Sequence, residues 1–142
     1  MRISLLNFAA TITLSLVGNA LAVSSYPVVR PDQQAIATAT KWLSMVDTGE
    51  YAESYSMFPA RIRSGGFEKN WIGYLRAKRA PLGRPLSRKF VKAQFTKTLP
   101  GSPDGYYEFF TYHTSFQHKT QAAEQVTLTK ESGHWQVSGY RL

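Results

Sequence analysis

The apolar residues of this chain change their spacing near Ser87, from the 3.6-residue period of helices to the two-residue alternation of strands. That change divides the sequence into a helical first part and a stranded second part. Upstream, Pro31-Asp32 opens a helix with Ala35, Ala39, Trp42, Leu43 and Val46 at helical spacing, and Gly49 is placed to end it. Tyr51, Tyr55 and Phe58 predict a second helix. Phe67 to Arg79 predicts a third, with Phe67, Trp71, Tyr74 and Leu75 on its apolar side and Pro81 and Gly83 as its stop. Downstream, Val91, Ala93 and Phe95 alternate with Lys92, Gln94 and Thr96. The turn-rich stretch Leu99 to Gly105, where Gly101 and Gly105 can take positive φ, separates that strand from a second over Tyr106 to Lys119. Glu124 to Lys130 and His134 to Arg141 read as a further hairpin around Glu131-Ser132-Gly133. Helices first and strands afterwards predict an α+β fold: N-terminal helices packed on a curved four-stranded antiparallel sheet, leaving a cleft at the open end.

Residues 1–22 read as a secretory signal peptide, with Arg2 as a positive start, an apolar stretch from Ile3 to Val17, and an Ala20-Leu21-Ala22 cleavage site before Val23. Residues 23–142 are then one exported domain, periplasmic or secreted. The apolar stretch is too short and too interrupted for a membrane span, so no transmembrane anchor is expected. Cysteine is absent, which excludes disulfides, thiolate metal sites and thiol catalysis. Packing must hold the fold, and an aromatic content of 13% supplies large rings for it.

Of the formal charge of +8, most lies in one block: eleven basic residues between Arg61 and Lys97 face a single acid, Glu68. Within the block, Arg79, Arg84, Arg88, Lys89 and Lys92 form a candidate anion-binding surface, Arg88 and Lys92 being an even number apart on one strand. Export argues against nucleic acid as the partner. An anionic envelope component or a small ligand is the expectation.

Catalytic signals are sparse. Asp47-Thr48-Gly49 resembles the aspartic-protease triplet but occurs once, and Asp47 is better read as the cap of the next helix. His113 and His118 stand at odd separation on one strand and cannot chelate an ion together unless a bulge intervenes; no metal is expected, and no cofactor either. A cleft enzyme of the isomerase or dehydratase type would use His113 as base and Tyr55, Tyr74 or Tyr112 as hydrogen-bond donors. The acids read as cap, turn and strand-edge residues, leaving no desolvated carboxylate for the chemistry. A binding or accessory module is therefore the first expectation, and the cleft enzyme the alternative.

Several separated motifs also occur in a specific order. Trp42-Leu43, Val46-Asp47-Thr48-Gly49-Glu50-Tyr51 and Ser54-Tyr55 are followed by Trp71, by Arg79-Ala80-Pro81-Leu82-Gly83 with Arg88, and by Leu99 to Tyr106. Glu124 to Leu128 and Trp135 to Tyr140 complete the set. Together they resemble an exported bacterial family, domain of unknown function 4019, with Tyr55 where that family carries Trp. The resemblance implies a cystatin-like or nuclear-transport-factor-two-like roll and implies no activity.

Overall fold

The computed structural model describes residues 25–142; the expected signal peptide and its cleavage site lie outside the described residues. A two-residue strand β1 (Val28–Val29) precedes four helices, α1 (Gln33–Asp47), α2 (Tyr51–Ser56), α3 (Ala60–Arg63) and α4 (Glu68–Lys78). A 3-10 turn at Ala80–Leu82 then leads into β2 (Pro85–Thr96), β3 (Tyr106–Phe116), β4 (Lys119–Glu131) and β5 (His134–Arg141). The sheet is an antiparallel meander in the order β1-β2-β3-β4-β5. It has five strands where the sequence predicts four. The extra strand, Val28–Val29, pairs only with Gln94 and Ala93, and two residues beside Pro27 are too few to show a period.

Helix α1 starts where the sequence predicts, because the Asp32 carboxylate accepts the Gln34 and Ala35 N–H groups at 2.8 and 3.4 Å. Its apolar stripe Ala35, Ala39, Trp42, Leu43 and Val46 is buried against the sheet. The Trp42 indole N–H donates to the Ser54 carbonyl at 3.0 Å, so the largest buried ring is also hydrogen-bonded. Phe58, Trp71 and Tyr140 pack around it with ring centroids 6.4, 6.0 and 5.2 Å away. From the sheet, Phe110, Val126, Leu128, Trp135 and Val137 complete this core. Phe95 stands outside it, half-buried against Tyr106.

The other face of the sheet carries a small second cluster. Tyr107 and Phe109 are 2% exposed because Tyr26 and Leu99 fold over them, which explains why β3 is apolar on both sides. A bulge interrupts β2: Phe90 pairs with Tyr112 but Lys92 pairs with Thr111, so Val91 is an extra residue. One inserted residue reverses the parity of everything beyond it. Arg88, opposite Thr114, faces the helices, whereas Lys92, opposite Thr111, faces away from them.

Candidate functional site

Four charged side chains meet between the C-terminal ends of α1 and α4 and the inner face of the sheet. Alternation places Arg88 of β2, Thr114 and Tyr112 of β3 and Glu124 of β4 on that face. Asp47 ends α1 and Arg79 follows α4. Arg88 donates Nη1 and Nη2 to the two Asp47 oxygens at 2.8 and 2.9 Å. Its Nε and Nη2 also donate to the two Glu124 oxygens at 2.8 and 3.3 Å. Arg79 lies 4.4 Å above the Phe116 ring and donates to Asp47 Oδ1 at 2.9 Å and to the Gly83 carbonyl at 2.7 Å.

Glu124 is wholly buried, and short hydrogen bonds from the Thr114 and Tyr140 hydroxyls complete its shell. Buried charges need this degree of pairing. Two arginines and two carboxylates cancel formally, so the cluster is neutral as a unit. Burial pushes the Asp47 carboxyl up, but the Arg88 hydrogen bonds and charge, then those of Arg79, outweigh it and hold Asp47 below its ordinary value. For Arg88, Asp47 and Glu124 likewise outweigh burial and keep the guanidinium charged.

Beside this cluster a cleft of about 540 Å³ opens between α1 and β2–β3. Ile36, Leu43, Phe90 and Tyr112 form most of its wall, Thr40 and Ser44 its helical rim, and Asp47 and Arg88 its polar end. Tyr112 is 8% exposed, and among the described residues its hydroxyl has no hydrogen-bond partner. Burial, with the Arg88 charge opposing it and the Glu124 charge adding to it, pushes the phenol up to about 12, so the group is a neutral donor at physiological pH. Phe90 meets Tyr112 edge-on with ring centroids 5.7 Å apart and remains 40% exposed at the cleft mouth.

The side chains singled out in the sequence are dispersed by this geometry. His113 is adjacent to Tyr112 on one strand and so projects from the opposite face, exposed, in a depression with Ser87, Lys89 and Gln121. It cannot act on a group held by Tyr112. Tyr55 is buried in the core and donates to the Ile62 carbonyl at 3.1 Å, while Tyr74 stacks on Trp71. The five basic residues read as one anion-binding surface do not share a face. Arg79 and Arg88 point inward onto carboxylates, Lys89 and Lys92 point outward opposite His113 and Thr111, and Arg84 is exposed before β2.

Asp47 does not cap α2, whose N-cap residue Glu50 makes no side-chain cap bond. Two buried acids, Glu124 and Glu108, contradict the reading of all acids as peripheral. Both were visible in the alternation, since Glu124 shares a face with Val126 and Leu128, and Glu108 with Phe110 and Tyr112. Among the described residues, no three His, Cys, Asp or Glu side chains converge as a metal site would require.

A family model described as a protein of unknown function (DUF4019) matches residues 38–140. The chain belongs to that family. The motif order read from the sequence and the family match agree, and the matched span takes in Asp47, Arg79, Arg88 and Glu124. No curated protein and no solved structure matches the chain. Among its described residues, no helix is long and apolar enough to cross a membrane.

Proposed function

We propose that this protein is a non-catalytic binding module of the bacterial envelope, exported by its N-terminal segment, that holds a small amphipathic molecule between α1 and the sheet. In this reading the fold is a cystatin-like roll whose open end is the cleft. The observation that carries the proposal is the cleft itself: apolar walls, a phenol with no hydrogen-bond partner among the described residues, and a fixed ion pair at one end. Its volume falls within the range of about 300–1,000 Å³ common to small-molecule sites, and few, convergent polar groups on an apolar wall are their usual chemistry.

The acid–base alternative finds less support. Asp47 is held ionised by two arginines, which makes it a weak base, and Glu124 has no exposed surface. The basic character of the chain then serves solubility and weak electrostatic attraction to anionic surfaces through Arg84, Lys89 and Lys92.

Binding of 1-aminoanthracene, a neutral fluorescent amphiphile, tests the reading. The mature protein should enhance its emission saturably. Thr40→Trp, which fills the cleft from an exposed helix position, should abolish the enhancement without lowering the thermal midpoint. Equal binding by the variant would place the probe elsewhere and overturn the proposal.

A further inference from the structure

The polar end of the cleft constrains which amphiphile fits. Among the described residues Arg88 is the only cation lining it, and four of its five N–H groups are already donated to Asp47 and Glu124. The Arg79 side chain is 3% exposed and turned onto Asp47, Gly83 and the Phe116 ring. An incoming carboxylate would exchange its hydration for the Tyr112 hydroxyl and at most one remaining guanidinium N–H. It would also stand against the Asp47 carboxylate, which is 17% exposed on the same wall. Burying a charge on those terms is strongly unfavourable.

An uncharged oxygen needs far less. A carbonyl can accept from the Tyr112 hydroxyl, and a neighbouring hydroxyl can donate to Asp47, with the apolar body along Ile36, Leu43 and Phe90. From this we infer that the cleft selects a neutral amphiphile, an apolar chain or ring ending in an ester, amide or alcohol, and rejects the free acid of the same chain. The inference rests on the proposed binding role of the cleft and adds the charge class of its ligand.

Isothermal titration of the mature protein with 1-monododecanoylglycerol and with dodecanoate tests it, both below their aggregation limits and at about pH 8, where the acid is fully ionised. The neutral ester should bind more tightly by at least about tenfold. Dodecanoate binding equally or better would overturn the charge selection while leaving the cleft a binding site. Heat from neither ligand would overturn the binding role itself. Asp47→Asn removes the opposing charge, and Ser44→Lys adds a cation at the exposed rim without touching the buried cluster. Either should narrow the ratio between the two ligands to below about threefold. A ratio unchanged in a folded variant would contradict the inference.

Discussion

Arg88 is the residue on which the interior balance depends. Removing it, as in Arg88→Met, leaves Glu124 fully buried with only two hydroxyl donors, and losing one partner of a buried ion pair typically costs about 3–5 kcal/mol. Urea unfolding should show that loss; a change below about 1 kcal/mol would contradict the role of Arg88 as the partner that holds Glu124. Asp47 and Glu108 have opposite pH signatures. Asp47 lies below its ordinary 3.8, so its pairing stabilises the fold above that pH and is lost as pH falls through the depressed native value. Glu108 lies above its ordinary 4.5, raised chiefly by burial and further by the Asp32 charge, with one oxygen lacking a partner among the described residues. Its ionisation therefore removes stability as pH rises from 4.5 through the elevated native value. Glu108→Gln should gain on the wild type as pH increases from about 4 to 7 in denaturant unfolding, and a parallel pair of curves would contradict the assignment. Glu108 and Glu124 were legible in the strand alternation, but the partners of Glu124 come from three other segments, and no local pattern specifies them.

At the level of elements, α1, α2, α4 and the long strands were legible from their apolar periods, whereas α3 (Ala60–Arg63), which buries no residue, left no period to read. The bulge at Val91 was not, since a single inserted residue leaves the composition of β2 unchanged while reversing the parity that placed Arg88 and Lys92 together. The turn glycines were only partly legible. Gly101 takes φ 77° as expected, but Gly105 is not among the glycines with positive φ. Gly83, read only as a helix stop, takes φ 76°, and a Cβ there would lie 2.9 Å from Gln117 Cβ, in the connection that also supplies the carbonyl bound by Arg79. Gly83→Ala should thus lose about 1–3 kcal/mol in unfolding experiments while Gly105→Ala stays near neutral. The reverse order would show that the 83–84 connection is not the strained one.

For the molecule as a whole, one helix laid across an antiparallel meander contributes to both the core and the cleft. The apolar stripe of α1 buries Trp42 and Val46, and its flank leaves Ile36, Thr40 and Ser44 facing Phe90 and Tyr112 across open space. Trp42→Ala should cost about 3–5 kcal/mol, because a large ring and its hydrogen bond to Ser54 are lost together. The position of the cleft follows from tertiary contacts between α1 and β2–β3, which is why the sequence named Tyr112 as a cleft residue but not the α1 residues that face it. The most direct test is to map, by heteronuclear NMR, the resonances of the mature protein that shift on addition of 1-monododecanoylglycerol. Shifts are expected at Ile36, Thr40, Leu43, Phe90 and Tyr112 with little change at Lys89, His113 and Ala123; shifts confined to those three residues on the opposite face would contradict binding in the cleft.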